Sequence, residues 1–214
     1  MNQRLASPSK SASSLVLACL IIALSGCSVA LFPDKEPLRI FTLPYHYQPP
    51  SVANDRAPAL PVLKIIRPQA NGVLSGKRMV IEPRAHELAA YSSVTWVTEA
   101  PLLLRDHLLR ALRDDPRFAT VVSDVSGSAS EVAITSELKA FQEDRSGEEV
   151  AVRLYLQAQL VENGSRRTLA TRDFHVKVPV EDGRIEATVA AFGQAADRLS
   201  GELADWTETA LADD

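Results

Sequence analysis

Cysteine is nearly absent from the chain. Its 214 residues hold two, Cys19 and Cys27, both near the amino terminus. If a leader ending at residue 26 is removed and Cys27 is consumed by lipid, the remaining body has no free thiol, which excludes disulfides and thiolate metal sites. Histidine is scarce too, and none of His46, His86, His107 and His175 has a second His or Cys two to four residues away. No metal site and no cofactor is therefore expected. The chain lacks a Gly-x-Ser-x-Gly turn to carry a serine nucleophile and a glycine-rich loop running into Lys-Ser or Lys-Thr to hold phosphate. No catalytic residue is assigned, and the chain is read as a non-enzyme. Long basic stretches are missing as well. The 23 basic residues fall to 21 when Arg4 and Lys10 of the leader go, against 27 acidic ones, a net charge of −6. That balance excludes a nucleic-acid partner and leaves an anionic surface no electrostatic landing site. No internal repeat or low-complexity tract occurs.

What the amino terminus does have is a basic, acid-free leader, a ten-residue apolar run from Leu15 to Leu24, and the sequence Leu24-Ser25-Gly26-Cys27. A bilayer-spanning helix needs about 20 apolar residues, so this run suits a cleavable signal. The four residues resemble the lipobox of bacterial lipoproteins. That resemblance implies cleavage before Cys27, a diacylglyceryl group on its sulfur and an acylated new amino terminus. One acyl chain holds a protein only marginally, and two or more hold it stably. The resemblance also implies sorting: Ser28 in place of Asp points to the outer membrane, with the periplasmic side of the inner membrane as the alternative. The expected organisation is a signal peptide over 1–26, a lipidated tether over 27–37 and one domain over 38–214.

Along that domain, Leu38 to Leu43 reads as a first strand, and 44–61 as a surface loop because five prolines deny it helix and interior strand. Val62 to Ile66 and Arg78 to Glu82 read as strands, with Gly72 and Gly76 turning the chain between them. A helix opens near Glu99-Ala100-Pro101 and stops at Asp114-Asp115-Pro116. Its apolar stripe is Leu104, Leu108 and Leu112, broadened by Leu102 and Leu109. The polar face carries Arg105, Asp106, Arg110 and Arg113. His107 edges the core between Leu104 and Leu108. A short strand, Ala119 to Val122, follows.

The alternation of Val150, Val152, Leu154, Leu156, Ala158 and Leu160 with polar residues predicts a strand wet on one face and buried on the other. Val132, Ile134, Leu138 and Ala140 do the same upstream, and Ala170, Phe174, Val176 and Val178 downstream, with His175 in the polar phase. Three antiparallel strands over 131–142, 149–162 and 167–178 are expected, with the last hairpin turning on the positive φ angles that Asn163-Gly164 tolerates. Asn163-Gly164-Ser165 also matches a glycosylation sequon, for which the hairpin reading is preferred. The carboxylate pairs Asp114-Asp115, Glu143-Asp144, Glu148-Glu149 and Asp213-Asp214 read as charged turns and helix ends. His86-Glu87 reads as a solvated pair. The final helix, 185–210, carries a seam of Ile185, Val189, Phe192, Ala196, Leu199, Leu203, Trp206 and Ala210. It fits either a coiled-coil partner or the chain's own sheet, and the exposed apolar face of the meander favours the sheet.

Phe41-Thr42-Leu43, the strand near Leu63 to Ile66, Tyr91-Ser92-Ser93-Val94-Thr95-Trp96 and the Pro101-to-Asp114 helix follow in an order that resembles the ABC-type transport auxiliary lipoproteins, a family of intermembrane transport components. Tyr91, Trp96, Glu99 and Pro101 carry the step into the first helix, Leu138 to Phe141 the Leu-x-x-Phe step, and Trp206 the end of the last helix. The resemblance implies an α/β domain of α+β character: a mixed, largely antiparallel sheet with a C-terminal three-stranded meander and two long helices packed on it. It implies an outer-membrane-anchored auxiliary component of an ABC transporter that moves lipids or other hydrophobic molecules between the two membranes. Its partners would be a mammalian-cell-entry-type substrate-binding protein and the ABC permease and ATPase, with room for a homo-oligomer. A structural envelope lipoprotein assisting outer-membrane assembly or secretion is the alternative. Tyr91 and Trp96 are the candidate partner contacts, since aromatic rings are enriched in binding hot spots, although ordinary burial statistics favour the core for Trp96 and more so for Trp206.

Overall fold

The fold is built from one unit, Leu38–Asp214. The computed structural model describes residues 37–50 and 60–212. The leader, Cys27 and nearly all of the tether lie outside them, as do residues 51–59 of the proline-rich loop.

Among the described residues eight strands and two helices follow in the order β1 (Arg39–Phe41), β2 (Leu63–Ile65), β3 (Arg78–Arg84), β4 (Glu87–Trp96), α1 (Ala100–Asp114), β5 (Val121–Ser123), β6 (Val132–Asp144), β7 (Ala151–Glu162), β8 (Thr168–Pro179) and α2 (Ile185–Ala212), with a short 3-10 turn at Gly72–Ser75. The mixed sheet is open and split at β6. Along one edge β6 pairs with β7 over its whole length, from Val132↔Glu162 to Asp144↔Ala151, and β8 follows antiparallel. Along the other edge its first residues run parallel to β2 (Leu63↔Val132) and its last run parallel to β3 (Val80↔Gln142). The chain between β2 and β3 bridges the split: Ile66 N–H donates to Ile134 O at 3.0 Å, Gln69 N–H to Ser136 O at 2.8 Å and Leu138 N–H to Gln69 O at 2.7 Å. β5 then flanks β2, and β4 flanks β3 with β1 beyond it.

The helices cover one face. α2 packs on β7 and β8, α1 lies over β2 and β5, and the helices pack on each other. Val189, Phe192, Ala196, Leu199, Leu203 and Trp206 of the α2 seam are buried in the same core as Leu154, Leu156, Leu160 and Phe174, so the seam covers the chain's own sheet. Ser200 and Thr207, also buried there, donate to the carbonyls four residues back at 2.8 and 2.7 Å, which removes the cost of unpaired hydroxyls. Among the described residues no helix is long and apolar enough to cross a membrane.

Several local expectations change. β4 was not foreseen, because Glu87 to Trp96 shows no clean alternation and carries an irregularity around Tyr91: the register runs from Arg78↔Thr95 to Val80↔Ala90. A bulge between Leu138 and Ala140 reverses the side-chain phase of β6. Ala140 therefore leaves the face of Val132 and Ile134, while Phe141 and Glu143 join it. Leu103, not Leu102, completes the buried stripe of α1, and Arg105 is buried instead of wet, paired with Asp106 at 2.8 Å and with Asp124. The last hairpin turns on Arg166, with φ 60°, and Asn163 serves elsewhere, its amide holding Ser130 O at 2.9 Å. His86, with φ 67°, forms the β3–β4 turn, where its N–H donates to Glu82 Oε1 at 3.1 Å.

Residues 44–50 are more than a solvated loop, for they form a strap along α1 and α2. Tyr45 OH donates to Asp114 at 2.5 Å, Tyr47 OH to Asp115 at 3.1 Å, and His46 N–H to Asp197 at 3.2 Å. Pro44 lies so close to α2 that a Cβ at Gly193 would stand 2.8 Å from the proline Cβ. Below the strap, Asp115 is fully buried and takes three hydrogen bonds from Arg117, which also reaches Asp205 and Glu208 at 2.8 Å. Burial alone would raise Asp115, but the bonds from Arg117 and Tyr47 overcome that and hold its carboxyl below the ordinary range.

Candidate functional site

Tyr91 sits at the irregular centre of β4, where its ring is half-buried and its hydroxyl turns toward the start of α2. It donates to Glu143 Oε2 at 2.8 Å and accepts from Arg145 Nη2 at 3.0 Å. Glu143 is 0% exposed, so its charge must be fully compensated. Thr188 Oγ1 of α2 donates to it at 2.6 Å, and the Arg145 guanidinium makes a third contact. The carboxylate thus ties β4, β6 and α2 at one point. Burial, and then the neighbouring carboxylate, push the Tyr91 hydroxyl up to about 12. It remains a hydrogen-bond donor at any physiological pH.

The Arg145 guanidinium lies 6.0 Å from the Tyr91 ring centre. Tyr and Arg are the residue types that dominate binding hot spots. Nearby, β1 runs parallel to the end of β4, and Ile40 within it and Leu38 just before it are 63% and 59% exposed. Arg39 between them pairs with Glu186 of α2 at 2.5 Å, an exposed pair worth about 1 kcal/mol at most. This arrangement offers a contact surface and presents no activated nucleophile.

Trp96, the second candidate, lies in the core. It is 1% exposed and packs against Phe141 and Phe192, with ring centres 5.9 and 5.1 Å away. Its ring has no solvent face to offer. Trp206 packs edge-on against Phe174 at 5.6 Å. Cys27, the expected lipid site, falls outside the described residues. The histidines remain apart: His107 is buried with Nε2 3.0 Å from Asp197, His175 stacks on Tyr155 at 4.0 Å, His46 holds the strap through its backbone, and His86 forms a turn. Among the described residues no cluster of three His, Cys, Asp or Glu could hold a metal ion.

Sequence reasoning missed Glu143 and Arg145, since Glu143-Asp144 read as a charged turn. β6 continues through Glu143 and Asp144, with Arg145 just past its end, and the bulge near Lys139 puts Glu143 on the inner face. No local pattern announces that bulge.

The profile of a family described as the ABC-type transport auxiliary lipoprotein component matches residues 41–204. Among solved structures, protein XCC0632 from Xanthomonas campestris is similar with a TM-score of 0.72 and 25% identity, over 80% of this chain and 95% of that one. A second, described only as an uncharacterized protein, shares the fold at a TM-score of 0.64 and 16% identity, over 80% and 99% of the two chains. No curated protein matches the chain.

Proposed function

Because the chain belongs to the ABC-type transport auxiliary lipoprotein family, we propose that it is a non-catalytic, lipid-anchored periplasmic component of an ABC system that carries lipids or other hydrophobic molecules between the inner and outer membranes. The family match over residues 41–204 carries this reading. The lipobox at Leu24 to Cys27 supports the anchor, and Ser28 supports the outer membrane as its seat. The system's mammalian-cell-entry-type protein and permease are the partners, with the Tyr91–Arg145 surface as the contact. An apolar cargo exposed to water costs about 25 cal/mol per Å² of apolar surface, so a docking component fixed at the receiving membrane shortens that exposure. The hollow beside Gln69 is lined by polar side chains, which suits docking better than carriage of acyl chains.

Copurification tests the reading. A tagged chain solubilised from membranes retains a mammalian-cell-entry protein or the permease above a control lipoprotein, and Tyr91→Ala reduces that retention. Failure to retain either sinks the docking role. Mass spectrometry of the native amino-terminal peptide should find Cys27 acylated. Cys27→Ala should leave the protein off the membrane, and an unmodified thiol or intact leader would refute the anchor.

A further inference from the structure

The face of the meander turned away from the helices carries its own hollow. It encloses about 200 Å³ and is lined by Gln69, Thr135, Ser136, Glu137, Gln157 and Gln159. The register explains the grouping. Thr135 stands opposite Gln159, Glu137 opposite Gln157, and Gln69 bridges to Glu137 from the segment that spans the split in the sheet. Cross-strand neighbours point to the same side, so Thr135, Glu137, Gln157 and Gln159 converge from two rigid strands with Gln69 beside them on the bridging segment, while Ser136, opposite the buried Ala158, turns to the other face. The volume lies below the roughly 300–1,000 Å³ of drug-sized sites, and matches one ring-sized group.

The lining selects a ligand class by exclusion. None of the six side chains is apolar, which excludes an acyl chain. The only charge among them, Glu137, is neutralised by Lys139 at 2.6 Å, so no free cation waits for phosphate or carboxylate. What remains are three amides and the Thr135 hydroxyl, and among the described residues none of these four side chains takes a hydrogen-bond partner within the protein. An amide offers both two donors and an acceptor, the two-way pattern that sugar hydroxyls and acetamido groups complement. One step along β7 from Gln157, Tyr155 stacks on His175 with ring centres 4.0 Å apart. Opposite Tyr155 the bulge has placed Ala140, whose methyl leaves the shelf low. Sugar C–H faces dock on aromatic rings of this kind.

We propose that this face binds a neutral, N-acetylated glycan strand, with Gln69, Gln157 and Gln159 hydrogen-bonding one sugar and the Tyr155–His175 shelf supporting the next. The identification of that strand with the cell-wall glycan rests on the periplasm-facing reading above. The binding itself does not. A protein tethered at one membrane and engaged with a transporter at the other must pass the wall, and a neutral glycan contact would steady it there.

The test uses the full chain purified in detergent and chitotetraose as probe, followed by titration calorimetry. Saturable binding is expected, with at least a tenfold loss in Gln157→Ala/Gln159→Ala at an unchanged melting temperature. Gln69→Ala, on a separate segment, should weaken binding several-fold, and isolated wall sacculi should retain the wild type more than the double variant. Absence of saturable binding, equal binding by the double variant, or competition by inorganic phosphate would overturn the site. Maltotetraose binding as tightly would overturn the acetamido assignment. Because no transporter is present in the titration, its failure is distinguishable from a failed copurification.

Discussion

The two ends of the sheet are stabilised by different physics. At the meander end, strands of 12 and 13 residues pair over their full length, and β7 lays an unbroken apolar row from Val152 to Leu160 under α2. At the other end β1, β2 and β5 have three residues each, and buried polar knots hold the parts: Glu143 with Tyr91 and Thr188, Asp115 with Arg117, Arg105 with Asp124, and the strap over both helices. Apolar burial tolerates rearrangement, whereas a buried charge tolerates none once a partner is lost. The polar end should therefore be the more specific and the more easily broken by single atoms.

Phe192 is where the two ends meet, its ring 5.1 Å from Trp96 and 4.7 Å from Phe141. Phe192→Ala should cost about 3–5 kcal/mol by lost transfer energy and the cavity left behind. Chemical denaturation should show both ends melting in one transition. Two transitions would mean the ends are separate folding units. Glu143→Ala should follow at about 3 kcal/mol, since it leaves the Tyr91 and Thr188 hydroxyls without an acceptor in a buried site. A loss under 1 kcal/mol in the same assay would show that the knot does not hold the end together.

The same contrast explains what could be read in advance. The meander follows from residues two apart, so its strands were expected within two residues of where they lie, and α2 equally so. The strands at the other end draw on partners far away in the chain. β4 is paired by β1 from more than 50 residues upstream, and its own Ala, Ser and Thr carry little periodicity. The single extra residue near Lys139 defeated the count after Leu138, sending Phe141 and Glu143 to the helix-covered face and Ala140, still buried, to the opposite one. Arg105 sat in the polar phase of α1 yet is buried, because Asp124 arrives from the loop after β5 to neutralise it. For the candidate contacts, aromatic identity pointed to Tyr91 and Trp96, but only tertiary packing separates the half-buried ring from the core one. Gln157 and Gln159 were visible as the wet phase of β7, while Gln69 joins them only through the bridge to Glu137.

Two glycines on α2 sharpen the polar side of the comparison, with opposite signs. Replacing glycine by alanine within a helix contributes about 1 kcal/mol. At Gly201 the new Cβ would meet Tyr47 Cε2 at 3.7 Å, an ordinary contact, so Gly201→Ala should stabilise the fold by roughly that amount. At Gly193 it would meet Pro44 Cβ at 2.8 Å and the Pro44 carbonyl oxygen at 2.9 Å. Overpacking of this kind costs about 1–3 kcal/mol, which cancels or exceeds the helix gain. The strap should lift, and hydrogen exchange at His46 N–H, which donates to Asp197, should quicken in Gly193→Ala and remain slow in Gly201→Ala. Equal exchange in both would show that the strap is not seated on α2.

The smallest effect is a dependence on pH. His107 is buried against Asp197 of α2, the Tyr45 ring of the strap and Arg110 of its own helix. Its pKa is held below the ordinary 6.5, chiefly by desolvation and against the pull of Asp197. From 6.5 down to the folded value the unfolded chain binds a proton that the folded chain does not, so stability falls as pH falls, by at most about 1.4 kcal/mol per pH unit. Below the folded value both states are protonated and this dependence ends. Asp115 acts in a separate, more acidic window: its depressed carboxyl contributes stability above its ordinary 3.8, which is lost as pH falls through the folded value. Urea midpoints measured from pH 7 to pH 4 should therefore slope below 6.5 in the wild type and run flatter there in His107→Gln, whose amide can still reach Asp197. A slope that persists unchanged in the variant would assign it to another group and leave the strap's polar contacts insensitive to mild acid.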